Sequence, residues 1–167
     1  MTSRSRLLVV HHSPTATVQR LTDAVVGGTR DVAIDGVEVV VLPALEAHAD
    51  DVLGADGYLL GTTANFGYMS GALKHFFDTI FLEAGGALAD DGSAGTPASG
   101  AGKKPYGLFV HGRYDTTGAV RSVQGIVGAL GWRQAAPVLE VLGTPEDHQL
   151  EAAYELGATL AALLSGT

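Results

Sequence analysis

The sequence predicts an α/β domain: a three-layer sandwich in which a five-stranded parallel sheet of order 2-1-3-4-5 is covered by helices on both faces. Three observations carry this. Short apolar runs alternate along the chain with stretches of helical periodicity. The runs are mostly apolar, as strands buried on both faces of a parallel sheet are. The 167 residues, 46% hydrophobic with a mean hydropathy of +0.22, suffice for one well-buried core and not for two ordinary domains. Residues 1–167 are therefore expected to form a single domain.

Residues 7–12 form the first predicted strand and 37–42 the second. Residues 58–61 and 106–111 follow, and 138–142, just after a proline, make the fifth. Between them, Val18, Leu21, Thr22 and Val25 share one helical face, and Met69, Leu73, Phe76, Phe77 and Ile80 share another. The last helix is marked by Thr144 as a cap, Pro145 at its first position, and Glu146 and Asp147 at its positive end. Leu150, Tyr154, Gly157, Ala161 and Leu164 continue it almost to the last residue. Parallel strands joined through helices require right-handed crossovers, which leads to the doubly wound order. Residues 84–103 break the alternation. Rich in Gly, Ala, Ser and Asp and without periodicity, they predict a mobile loop between the third helix and the fourth strand, either a surface insertion or a lid or oligomer contact.

In such a sheet ligands bind beyond the carboxyl ends of the strands, where the strand order reverses, and three loops meet there. The first contains Ser13, Pro14, Thr15, Ala16, Thr17 and Val18. It places hydroxyls and free backbone N–H groups at a helix start, a setting that attracts an anion. With no lysine or arginine in the loop, a phosphate would be held by neutral hydrogen bonds, as at a flavin phosphate rather than a nucleoside triphosphate. Ordinary N-capping by Ser13 or Thr15 accounts for the same residues. Neither GxxxxGK[ST] nor a GxGxxG after the first strand is present, which argues against ATP and classical dinucleotide binding. A phospho-receiver would need clustered acids where His11, His12 and Ser13 stand, and a hydrolase elbow would need the missing GxSxG.

The second loop runs Gly61, Thr62, Thr63, Ala64, Asn65, Phe66, Gly67, Tyr68, Met69, Ser70, Gly71, with glycines for close backbone approach. Phe66-Gly67-x-Met69-Ser70-Gly71, followed by Lys74, Phe76 and Asp78, resembles the flavin loop of flavodoxin-like flavoproteins, particularly NAD(P)H-dependent FMN reductases and quinone reductases. The resemblance spans nearly the whole chain. It implies a flavodoxin-like fold that binds FMN, with Thr63, Ala64, Asn65, Phe66 and Gly67 against the isoalloxazine ring and Thr62 beside them. It also implies a phosphate held by Ser13, Thr15, Ala16, Thr17 and Val18. The family's phosphate loop reads hydroxyl-x-Thr-Gly-x-Thr, whereas here Ala16 replaces the glycine and Val18 the last hydroxyl. Each lost neutral hydrogen bond costs about 0.5–1.5 kcal/mol, so FMN is expected to be weakly held.

The third loop, with Gly112, Arg113, Tyr114, Asp115 and Gly118, lies where the family closes over the flavin's second face or pyrimidine edge. Tyr114 is placed to stack on the ring. Arg113 either sets positive charge near the flavin edge, pairs with Asp115, or points into solvent. The resemblance implies NAD(P)H as electron donor, a quinone or similar small acceptor, two-electron transfer, and a homodimer or homotetramer whose neighbouring subunits wall the pocket. Two other readings stay open. One is a flavodoxin-type electron carrier that docks through its acidic surface. The other is a regulatory or interaction protein with weakened flavin binding, motivated by Ala16 and Val18. No catalytic side chain is assigned.

The remaining composition narrows the partners. With 18 acidic against 10 basic residues and a formal charge of −8, the overall field repels nucleic acid and anionic membrane surfaces. The absence of cysteine excludes disulfides, iron–sulfur and zinc–thiolate sites and thiol catalysis. His11 and His12 point to opposite faces of a strand, and His48, His75 and His148 sit in different segments, so no metal site is expected. His12 and His111 end strands near the crevice, as proton donors, pocket lining or structural residues. Lys74 and Asp78, one helical turn apart, predict an ion pair, and Trp132 a packing residue. No apolar run approaches the roughly 20 residues of a membrane span. The basic start, residues 1–6, lacks a secretory apolar segment, so the expected location is cytoplasmic.

Overall fold

The computed structural model describes residues 3–86, 89–93, 95 and 103–166. Strand β1 (Ser5–His11) is followed by α1 (Ala16–Thr29), β2 (Val37–Pro43), a 3-10 turn (Ala44–Glu46) and the short α2 (Ala49–Leu53). Then come β3 (Gly57–Asn65), β4 (Tyr68–Met69), α3 (Gly71–Ile80), β5 (Pro105–Gly112), α4 (Thr117–Ala129), β6 (Arg133–Gln134), β7 (Leu139–Leu142) and α5 (Asp147–Ser165). The main sheet is parallel and runs β2-β1-β3-β5, with β6 and β7 both on the outer edge of β5. Counting that edge as one strand gives the predicted 2-1-3-4-5 order. The sheet nonetheless has seven strands instead of five. Pro137, with no N–H to donate, lies between the extra strand β6 and β7, the predicted fifth strand. Tyr68–Met69 turns back antiparallel on Ala64–Asn65 to add the other.

Strand alternation divides the core. Leu7, Val9, Leu59, Phe109 and Val141 face α1 and α5 with Leu21, Val25, Ala153, Leu156, Leu160 and Leu164. Leu8, Val10, Tyr58, Leu60, Leu108 and Val110 face α3 and α4 with Leu73, Phe76, Phe77, Ile80, Val123 and Val127. Unbroken apolar stretches in the middle of the inner strands, as at residues 7–10 and 58–60, are what coverage of both faces demands. Trp132 stacks on Tyr58, ring centroids 3.9 Å apart, in the packing role expected of it.

The helix ends correct two readings of the sequence. Met69 is buried with the α3 face but belongs to β4. The helix starts at Gly71, where the Ser70 hydroxyl accepts from Leu73 N–H at 3.2 Å. At α5 the cap is Glu146 rather than Thr144. Its N–H is satisfied at 2.9 Å by the side chain of Gln149, so the helix begins only at Asp147. Much of the predicted 84–103 loop lies outside the described residues. Lys103, at its end, has φ +75 and hydrogen-bonds through its N–H to Gly131 O. No helix among the described residues is long and apolar enough to cross a membrane.

Candidate functional site

The three loops singled out from the sequence meet at the carboxyl edge of the sheet, and two glycines bring two of them together. A Cβ on Gly118, in the first turn of α4, would overlap Gly67 O. A Cβ on Gly112 would sit 3.0 Å from Thr116 Cγ2 and 3.3 Å from Ala64 Cβ. Both glycines therefore act by letting the second and third loops touch.

The tip of the second loop is held open. Phe66 has φ +50 and Gly67 φ +75. A left-handed conformation is unstrained for glycine and costly for a bulky side chain. It leaves the Phe66 ring fully exposed, and Tyr68 beside it is 43% exposed. Deeper in the loop, Thr62 Oγ1 accepts from Ser70 N–H at 3.0 Å and donates to Thr63 O at 2.9 Å, so this hydroxyl is spent on the loop itself. Thr63 Oγ1 is different: it is buried and has no hydrogen-bond partner. Ala64 is half-buried and Asn65 exposed.

In the third loop Tyr114 is 81% exposed, and the Arg113 guanidinium lies 5.5 Å from its ring centroid. Arg113 thus stands over Tyr114, and no ion pair joins it to Asp115 among the described residues. Asp115 instead accepts from Thr117 N–H at 2.9 Å, and bonds to Thr117 hold its carboxyl below the usual range. Thr116, which the sequence did not single out, donates to Glu140 Oε1 at 2.6 Å and ties α4 to β7.

The hydroxyls of the first loop that bond do so within the protein. Thr15 caps α1, its hydroxyl accepting from Val18 N–H at 3.3 Å. Ser13 Oγ lies 2.8 Å from His11 Nδ1 and 2.7 Å from Thr22 Oγ1. Val18 is buried in the core and Ala16 is exposed. Thr17 faces an open cavity of about 450 Å³ whose other walls are His111, Arg113, Gly143 and Thr144. His111 Nε2 contacts Gly143 O at 2.7 Å, which fixes a proton on that nitrogen. The cavity thus joins the α1 start to the β5 and β7 ends. Its Thr144 wall was legible only as a helix cap. The His11–Thr22 linkage carried no sequence signal, because the two residues are far apart in the chain. Lys74 and Asp78, on α3 just after the second loop, form the expected ion pair at 2.6 Å and line a cavity with Tyr68.

No family model matches the chain. It is 31% identical over 83 residues to the flavodoxin of Aquifex aeolicus, a match covering 50% of this chain and 44% of that protein. It is 33% identical over 92 residues to the NAD(P)H dehydrogenase (quinone) of Acidithiobacillus ferrooxidans, covering 44% of this chain and 46% of that protein. The match therefore spans less than half the length of either curated relative. A solved flavodoxin from the domain Archaea superposes with a TM-score of 0.75 at 17% identity, covering 95% of this chain and 98% of that one. The fold is flavodoxin-like, as the second-loop motif implied.

Proposed function

We propose that this chain binds FMN at the carboxyl edge of its sheet and passes electrons in pairs from NADH or NADPH to a quinone or similar small acceptor. The observation that carries the reading is the preformed aromatic rim. Phe66 is held outward at positive φ, its loop is seated by Gly67 against Gly118, and Tyr114 is exposed on the neighbouring loop. A strained, exposed aromatic at the ligand-binding end of an α/β sheet is a feature that packing alone does not reward. The unpaired Thr63 hydroxyl fits the same reading, since a buried polar group left without a partner costs free energy until a ligand satisfies it.

FMN, when bound, supplies the hydride and electron chemistry. The protein's share is placement. The segment from Thr62 to Gly67 would hold the ring, Tyr114 and Arg113 would stand at its rim, and the residues from Ser13 to Val18 would hold the phosphate. Gly112, Asp115 and Gly118 hold these loops in position. The acidic surface, at a net charge of −8, favours one other reading, an electron carrier that docks a partner protein and does not turn over small substrates.

The test is an FMN titration of the purified chain, followed by steady-state NADH and NADPH oxidation with FMN and benzoquinone. Saturable flavin binding and turnover above free FMN are expected. Binding without turnover with either nucleotide would favour the carrier, and absence of binding would remove both readings.

A further inference from the structure

At the first loop, the flavin reading leaves the linkage of His11 and Thr22 to Ser13 unused. His11, the last residue of β1, shares the sheet face of Leu7 and Val9, which is the α1 and α5 side. Its Nδ1 contacts Ser13 Oγ, and Ser13 Oγ contacts the hydroxyl of Thr22, which is only 1% exposed. On the same face, two residues beyond Gly61, the strand neighbour of His11, stands the unpartnered Thr63 hydroxyl, in a residue only 8% exposed and in register with His111. An unpaired buried hydroxyl on the same sheet face as a relay of hydroxyls at a helix start points to a ligand at this edge, in addition to the Thr15 cap.

A hydroxyl has one proton to give and two lone pairs. While the His11 ring offers its Nδ1 lone pair, Ser13 must spend its proton on His11 and accept from Thr22, so nothing remains for a ligand. A ring with its proton on Nδ1 donates there, in the neutral Nδ1–H tautomer as in the imidazolium, but only the imidazolium also sets a positive charge beside a phosphate dianion. Ser13 then accepts from His11 and Thr22 and turns its own proton outward. Resting on the FMN-binding reading, we propose that His11 is a positioning residue for the cofactor phosphate: binding of the phosphate dianion draws one proton from solvent onto His11, which redirects the Ser13 hydroxyl to a phosphate oxygen. The charge on the ring then stands one hydroxyl away from the dianion, in a loop that has no lysine or arginine of its own.

The surroundings agree. Burial, reinforced by His12 and opposed by Asp23 of α1, holds the imidazole below the usual histidine value of 6.5, which favours the neutral ring above that pH before the ligand arrives. The strand neighbours at that level, Pro43 on β2 and Gly61 on β3, carry no charge.

The experiment compares FMN with riboflavin, which lacks the phosphate, on the full chain between about pH 7 and 8.5, above the second phosphate pKa of about 6, where the neutral ring is favoured. FMN affinity should fall as pH rises, by up to about tenfold per pH unit for one linked proton, while riboflavin affinity stays level. Calorimetry of FMN binding in buffers of different ionisation heat should count close to one proton taken up by the unmodified protein, a readout that needs no variant. His11→Gln should flatten the FMN profile, and His12→Gln should leave its slope. A flat FMN profile in the unmodified protein, or a slope that survives His11→Gln, overturns the proposal and leaves FMN binding standing. If neither flavin binds, the FMN reading itself fails and takes this proposal with it.

Discussion

The seam between α1 and α5 and the loops at the carboxyl edge use the same residue types, glycine and threonine, to opposite ends. At the seam, a Cβ on Gly28 would overlap Tyr154 O and one on Gly157 would overlap Val25 O, so the two backbones touch. The polar groups there are paired: Thr29 Oγ1 donates to Val26 O at 2.6 Å, and Tyr154 donates to Asp31 at 2.6 Å. At the edge, Gly118 admits Gly67 in the same way, yet Thr63 keeps an unpaired hydroxyl and Phe66 and Tyr114 face solvent. Close contact with complete pairing makes a support. Close contact with incomplete pairing makes a place for something else to complete.

The sharpest break of this comparison is Gly157→Ala. Its methyl meets backbone from another helix, which cannot rotate away, so the cost should be about 3 kcal/mol or more, as overpacking at a rigid contact gives. Denaturant unfolding measures it, and a loss below about 1 kcal/mol would show that the seam yields more easily than its geometry indicates. The equivalent change at the edge, Gly118→Ala, presses on a loop whose tip is exposed and able to move. Stability should fall by only about 1–2 kcal/mol, while FMN affinity falls about tenfold because the second loop is displaced. Equal stability losses at the two glycines, with flavin affinity untouched, would dissolve the distinction between the two regions.

The seam was more legible in the sequence than the edge, for a physical reason. Periodicity reports burial, and α1 and α5 bury continuous faces, so Val18, Leu21, Val25, Leu150, Gly157, Ala161 and Leu164 fall on predicted stripes. The strands were legible for the same reason. Met69 satisfied the helical pattern because it joins the α3 core, although its backbone is in β4. Hydrogen-bond direction leaves no periodic trace. That Ser13 turns inward to His11 and Thr22, that Thr62 is spent on its own loop, and that Arg113 stands on Tyr114 depend on tertiary placement. The second-loop motif was the exception, because its Gly67 reflects a backbone shape that glycine adopts without strain.

A smaller effect separates the two threonine environments. Thr63→Val removes a hydroxyl that has no partner, so the flavin-free protein should gain up to about 1 kcal/mol. FMN affinity should fall at the same time, because the same hydroxyl is lost to the ligand. Opposite signs in stability and affinity are the mark of a group kept for binding. Loss of stability would mean that the hydroxyl has an internal partner, and would return Thr63 to the supporting region.

The smallest effect is a difference in how the two regions respond to acid. His11, at the edge, is held below 6.5 in the folded chain, so between its folded value and 6.5 the unfolded chain binds more protons. Its contribution is complete above 6.5 and is lost as pH falls through the folded value. At the seam, the Tyr154 hydroxyl and the Ala33 N–H hold the Asp31 carboxyl below 3.8, so that contribution is lost only when pH falls below 3.8. Mild acid should therefore lower the melting temperature of the flavin-free protein slightly through the edge alone, and His11→Gln should remove that step. Hydrogen exchange should show it as earlier opening around residues 11–22, with the seam intact until stronger acid. If the seam opens first, or if the step survives in His11→Gln, the edge is not the weaker of the two regions.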